Sequence, residues 1–123
     1  MRASIFACIA SSLLVAAGVA ASPAGAATLL WNRVEVQTRT TDGCFVLAES
    51  IMRSTGYRDA RYSAPEVNGR RGSTYVVVTC IATQPLPTAV VMAVGDDEAE
   101  VARTRTDMAQ RLRTHKPDPR DPL

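Results

Sequence analysis

Histidine is almost missing from this chain: His115 is the only one among 123 residues. Protein metal centres need clusters of histidine, cysteine or carboxylate ligands, and a lone histidine supplies one ligand at most. We therefore expect no metal site and no cofactor. His115 follows the last predicted helix, where a cation is favourable beside the negative end of the helix dipole.

Catalytic signatures are missing as well. The sequence has no glycine-rich phosphate loop, no G-x-S-x-G, no C-x-x-C and no carboxylate pair that sequence alone can bring together. The acidic run GDDEAE, residues 95–100, lacks the alternating ligands and closing glutamate of a calcium loop. It is typical instead of the first turn of a helix. We predict no catalytic residue and a protein that is not an enzyme.

A large charge of one sign is also absent. The formal net charge is +2, and removing Arg2 with a cleaved leader lowers it to +1. A nearly neutral chain gives no long-range attraction to nucleic acid or to an anionic membrane. We expect neither as a partner.

The N-terminal segment has the three parts of a secretory signal peptide. Arg2 is followed by an uncharged apolar stretch and then by small residues that offer a cleavage site after Ala26. A membrane anchor is the alternative, but glycine, serine and proline interrupt the run and no basic stop follows it. The sequence predicts a signal peptide over residues 1–26, a periplasmic or secreted protein, and no membrane span after cleavage.

Two cysteines remain in the predicted mature chain, Cys44 and Cys80, and an even pair in an exported protein indicates a disulfide. Cys44 begins the apolar stripe of a predicted helix, and Cys80 shares one face of a predicted strand with Val76 and Val78. Both thiols should therefore point into the space between helix and sheet. The alternative is a reactive thiol at Cys44, activated by the helix N-terminus.

The pattern of apolar residues predicts an α+β two-layer sandwich in the order β-α-β-β-β-α, with a mainly antiparallel four-stranded sheet and both helices on one face. Thr41 and Asp42 offer the cap of the first helix, and Gly56 ends it. The domain should span 27–114, followed by a disordered tail over 115–123. The predicted strands are 29–38, 58–67, 73–83 and 88–94, the predicted helices are 43–55 and 95–113, and 68–72 is predicted to be a turn.

The sheet face away from the helices is the candidate interaction surface. Strand alternation places there an apolar and aromatic patch with charges at its rim: Trp31, Arg33, Glu35, Tyr75, Val77 and Thr79. A solvated sheet face is the alternative interpretation, as is a Trp31 packed at the end of the sheet. The basic run NGRRG, residues 68–72, is interpreted as solvated charge, with a phosphate or carboxylate contact as its alternative.

The segments CFVLAES, GY, YVVVTCIA and AVVMAV together resemble small exported bacterial proteins of unknown function that carry one cysteine in a helix and one in a strand. That resemblance implies no activity. We predict a non-catalytic protein that binds an unknown protein partner or forms a homodimer through the uncovered face. The alternatives are a small-ligand carrier with a pocket between sheet and helices, and a thiol-dependent enzyme that uses Cys44.

Overall fold

The computed structural model describes residues 26–117 and Arg120. Residues 1–25 of the predicted signal peptide lie outside the described part, as do positions 118, 119 and 121–123 of the predicted tail. Both assignments, and the domain limits drawn from them, stay predictions. The strands are β1 (Thr28–Glu35), β2 (Arg58–Ser63), β3 (Glu66–Arg71), β4 (Thr74–Ile81) and β5 (Thr88–Gly95), and the helices are α1 (Thr41–Ser54) and α2 (Glu98–Thr114).

The strands form one antiparallel sheet in the order β1-β5-β4-β3-β2. Helix α1 connects the two edge strands, and β2 to β5 then return across the sheet as a meander that ends beside β1. Helix α1 packs on β2, β3 and β4, whereas α2 packs on β1, β5 and β4, and the two helices touch each other. The predicted α+β class, with both helices on one face, is confirmed.

The predicted strand count is wrong, because the sheet has five strands rather than four. The single strand predicted over 58–67 is in fact two strands, separated by a turn at Ala64 and Pro65. Pro65 lies in the turn that ends β2, which is an edge strand of the sheet.

Asn68 and Gly69 caused this error, because Asn-Gly is a strong turn signal and both residues lie inside β3. Gly69 serves close packing instead. A Cβ built there would lie 3.1 Å from the Met52 sulfur and 3.4 Å from the Tyr57 ring. The β3–β4 turn falls later, where Gly72 has a φ of +59°.

The N-cap of helix α1 lies one residue before the predicted cap at Thr41. Thr40 is the N-cap, and its hydroxyl accepts a 3.0 Å hydrogen bond from the Gly43 amide. Gly56, with a φ of +81°, follows the helix end as predicted. The predicted apolar stripe faces the sheet, and Cys44, Leu47, Ala48 and Met52 are buried.

Helix α2 is fixed at its first turn by acidic side chains. Asp97 is the N-cap and accepts from the Glu100 amide at 3.2 Å. The Glu100 carboxylate in turn accepts from the Ser73 amide at 2.9 Å and from the Thr74 hydroxyl at 3.1 Å. These bonds tie the helix to the β3–β4 turn. The face of α2 that packs on the sheet buries Val101, Thr104, Met108, Ala109 and Leu112.

The Cys44–Cys80 disulfide joins α1 to β4, with an S–S distance of 2.04 Å and Cα atoms 6.1 Å apart. This confirms the predicted bridge between helix and sheet. Around it the interlayer core is filled by fully buried side chains, the largest of which are Met52, Met108, Leu112, Val36, Val67, Val76 and Val78.

Candidate functional site

The sheet has one face that no described residue covers. In β4, Thr74, Val76, Val78 and Cys80 are buried under the helices, while the intervening side chains are half-buried or exposed. We call the uncovered side the open face. Its members are Leu29, Trp31, Arg33 and Glu35 from β1, Thr88, Val90, Met92 and Val94 from β5, Tyr75, Val77, Thr79 and Ile81 from β4, Glu66, Asn68 and Arg70 from β3, and Arg61 and Ser63 from β2.

The pairing register arranges these side chains in rows across the sheet. Trp31 lies opposite Met92, Met92 opposite Val77, and Val77 opposite Asn68. Neighbouring rows run from Leu29 through Val94 and Tyr75 to Arg70, and from Arg33 through Val90 and Thr79 to Glu66. All six residues predicted for the candidate surface therefore share this face.

Strand β5 is the part of the open face that sequence reasoning missed. It separates β1 from β4, so Val90, Met92 and Val94 form the centre of the patch. The signal was present, because an unbroken apolar run such as TAVVMAV is apolar on both faces of a strand. Such a run predicts a buried strand, but it does not show that the strand lies between β1 and β4.

Large apolar side chains are exposed on the open face. Trp31 is 62% exposed, Leu29 59% and Ile81 45%. Outside this face, Val46 on α1 and Tyr62 in β2 are also exposed, but Tyr62 contacts Phe45, with ring centroids 5.1 Å apart. Because Trp31 lies within β1 and not at its start, the structure gives no support to the alternative interpretation of a Trp31 packed at the end of the sheet.

Within the described residues, the ion pairs all lie on the helix side of the sheet. On the helix side Arg53 binds Glu49 at 2.6 Å, and Asp107 accepts from Arg71 at 3.0 Å and from Arg111 at 2.9 Å. Within residues 26–117, the open-face arginines Arg33, Arg61 and Arg70 have no carboxylate within 4.0 Å. The Arg70 guanidinium instead lies over the Tyr75 ring, 5.5 Å from its centroid.

The outer edge of β1 is partly occupied by the chain itself. Asn32 accepts from the Arg33 amide at 2.8 Å, and the Arg105 guanidinium of α2 donates to the Trp31 carbonyl at 3.4 Å. Blocking edge groups in this way hinders the addition of a further strand. The open face is therefore the better exposed of the two surfaces that β1 offers.

The basic run at 68–72 is not a solvated loop, because residues 68–71 belong to β3. Arg71 points to the helix side, where its guanidinium lies 5.8 Å from the centroid of the Tyr57 ring. Burial raises the pKa of the Tyr57 phenol above its ordinary value, and the nearby Arg71 charge offsets part of that rise. Arg70 points to the open face and borders a cleft of about 500 Å³ there.

Among the described residues, no group of three histidine, cysteine or carboxylate side chains is placed to hold a metal ion. The acidic run at 95–100 caps α2 and binds the β3–β4 turn. No helix in this part of the chain has the length and apolar character needed to cross a bilayer.

No protein-family model, curated protein or solved structure matches this chain. The resemblance to exported bacterial proteins therefore stays an expectation. The function has to be argued from the open face and the chemistry of its residues.

Proposed function

We propose that this protein is a non-catalytic interaction module that works outside the cytoplasm, and that its open face binds a protein partner or a second copy of the chain. The observation that carries the proposal is Trp31, which is 62% exposed on the open face and lies beside Met92 at the β1 end of an apolar row. Exposed tryptophan is unfavourable in water and is enriched among the residues that dominate binding at protein interfaces.

The composition of the face supports this function. Its centre is apolar, with Trp31, Met92 and Val77 side by side, while Arg33, Glu35 and Arg70 lie at the rim. An apolar centre with a charged rim is typical of protein interfaces. A face that only meets solvent has no need of three apolar neighbours in one row.

The size of the face also fits. Five strands about 4.8 Å apart, with rows of side chains about 6.8 Å apart, cover on the order of 500 Å² in projection. A standard interface buries roughly 800 Å² of accessible surface on each partner. Since accessible area exceeds projected area on an uneven surface, the open face can supply most of such a contact by itself.

The disulfide supports a location outside the cytoplasm. A structural disulfide such as Cys44–Cys80 persists in oxidising compartments and is rare in the cytosol. Together with the predicted signal peptide, this supports a periplasmic or secreted protein.

The two alternative functions have less support. A carrier needs space between sheet and helices, but Met52, Met108 and Leu112 fill that layer and are fully buried. A thiol enzyme needs a free nucleophile, but the Cys44 sulfur is bonded and its side chain is buried.

A pair of matched positions tests the proposal. Ile81 lies on the open face and is 45% exposed, whereas Val46 lies on α1 and is 51% exposed. A photo-crosslinking amino acid is introduced at one or the other position of the full chain in the producing cells. We expect a discrete adduct from position 81 and little from position 46. Equal yields, or no adduct from position 81, would contradict the proposal.

Light scattering on purified, disulfide-intact protein then separates the two kinds of partner. If the partner is a second copy, the adduct has twice the mass of the chain, and Trp31→Ala lowers the measured mass towards that of a monomer. If the partner is another protein, the purified chain is monomeric and the adduct contains foreign peptides. Val46→Ala is the control in both cases.

A further inference from the structure

A cleft of about 500 Å³ opens at the β2–β3 end of the open face. The pairing of β2 with β3 shifts register between Arg58 and Arg61, and within this irregular stretch Asp59 has a φ of +56°. Such an irregularity disrupts the ladder locally and bends the strand beside the cleft. The residues that line the cleft are Asp59, Ala60, Arg61, Asn68, Gly69, Arg70 and Tyr75.

Asn68 offers an amide to the cleft. It is only 8% exposed, yet within residues 26–117 its side-chain amide has no hydrogen-bond partner. Its register with Val77 and Arg61 places the side chain on the open face, at the cleft. Its polar atoms are not among the fully buried, unpartnered side-chain atoms of the described chain, so they reach solvent at the cleft and can bind a ligand there.

Two guanidinium groups flank this amide. Arg61 and Arg70 are exposed, and neither forms an ion pair with a carboxylate in the described part of the chain, Asp59 included. The contact with the Tyr75 ring orients the Arg70 guanidinium at the cleft. Arginine presents its donors in a planar fork that matches a carboxylate, and an amide N–H adds a further donor.

We infer that this cleft binds a carboxylate, supplied by an acidic residue of the protein that covers the open face. Asp59 in the lining repels a dianionic phosphate more strongly than a singly charged carboxylate, which favours the latter. The row from Arg70 through Tyr75 and Val94 to Leu29 continues as apolar surface. The bound residue should therefore have apolar neighbours. The protein source of the carboxylate rests on the function proposed above, whereas carboxylate binding by the cleft does not.

The test is a titration of the isotope-labelled full chain followed by nuclear magnetic resonance at constant ionic strength. The probes are sodium acetate, inorganic phosphate, and a short blocked peptide with one glutamate between two leucines or with glutamine in its place. We expect saturable shifts of the Asn68 side-chain amide with acetate. We also expect the glutamate peptide to bind at least about tenfold more tightly than the glutamine peptide, because only a carboxylate forms charge-assisted bonds.

Variants that each remove one positive charge test whether Arg61 and Arg70 bind the carboxylate. Arg61→Gln and Arg70→Gln should each weaken binding of the glutamate peptide by about tenfold, the effect of losing one charged hydrogen-bond partner. Arg103→Gln is the matched control, since Arg103 is exposed on α2 and also lacks an ion pair in the described chain. The backbone spectrum of each variant verifies that it is folded.

Three results would overturn the inference: an unmoved Asn68 amide, phosphate binding more tightly than acetate, or equal weakening by Arg103→Gln. None of them would alter the cross-linking expected at position 81. A failed titration with successful cross-linking would thus reject the carboxylate cleft and leave the interaction face in place.

Discussion

Strand β4 can be compared with itself, because its alternate side chains belong to the two faces of the sheet. Towards the helices it presents Val76, Val78 and the bonded Cys80, which are almost completely buried. Towards the open face it presents Tyr75, Val77 and Thr79, which are half-buried, and the exposed Ile81. One face of β4 is therefore covered by the two helices, and the other is covered by no described residue.

The charges show the same contrast. Asp107 on the helix side is bound by two arginines, while Arg33, Arg61 and Arg70 on the open face have no carboxylate partner within the described residues. Because Arg103 on α2 also lacks an ion pair, the contrast lies in the described ion pairs, which all form on the helix side, and in the exposed apolar area of the open face. We interpret the difference as a division between stability and binding. The two faces should accordingly respond differently to substitution.

The largest expected effect is loss of the covalent link on the covered face. The double change Cys44→Ala and Cys80→Ala should lower the free energy of unfolding by roughly 4 kcal/mol, the chain-entropy value for a loop of this length. Because domains of this size are stable by only about 5–15 kcal/mol, the variant should be close to unfolding at growth temperature. Urea denaturation followed by circular dichroism measures the change. A loss below about 1 kcal/mol would show that the bridge closes a loop already held by packing.

Neighbouring valines of β4 make a smaller but sharper comparison. Val78→Ala removes two methyl groups from the core, and we expect it to cost about 2 kcal/mol, since the neighbours cannot fully close the cavity. Val77→Ala makes the same chemical change on the open face and should cost less than about 1 kcal/mol. Denaturation is measured at a concentration where the protein is monomeric. Equal losses would mean that the open face contributes to the isolated fold as the core does.

The sheet face that packs against the helices could be predicted from sequence, because short-range patterns of apolar residues determine it. The i, i+3, i+4 spacing after Cys44 gives the helix stripe, and the alternation around Cys80 gives the strand face. Together they placed the two sulfurs in one layer, and the structure joins them with a disulfide. Strand order cannot be predicted in this way, because nothing in β1 itself specifies β5 as its neighbour.

The open face could be predicted only in part. Trp31, Arg33 and Tyr75 were assigned to it correctly by alternation, but the arrangement of the cleft depends on long-range pairing. Asn68 and Gly69 carry a strong local turn signal, and packing of Met52 and Tyr57 against Gly69 determines that they form a strand instead. At Asn68 and Gly69, tertiary packing therefore outweighs the local preference for a turn. The cleft depends on the pairing of β3 with β2 and β4, which local sequence patterns do not specify.

The smallest expected effect concerns Tyr57, a buried phenol on the covered side. Its hydroxyl is buried and has no hydrogen-bond partner of good geometry in the described part of the chain. Removing it by Tyr57→Phe should therefore change stability at neutral pH by less than about 1 kcal/mol. Unlike Asn68, this hydroxyl does not line the cleft on the open face.

The pH dependence distinguishes this hydroxyl from an ordinary one. The folded pKa of Tyr57 is raised by burial above the unfolded value of about 10, so the folded state holds the phenol proton more tightly. The resulting stabilisation is complete below the unfolded pKa and is lost as pH rises through the folded pKa. Wild type should thus lose stability above about pH 10, and Tyr57→Phe should lose less. Tyr75→Phe, which removes a phenol from the open face, controls for loss of a hydroxyl. If the stability curves of Tyr57→Phe and wild type stay parallel in alkali, folding does not shift the pKa of the Tyr57 phenol. The side chains around Tyr57 would then be less closely packed than its burial implies.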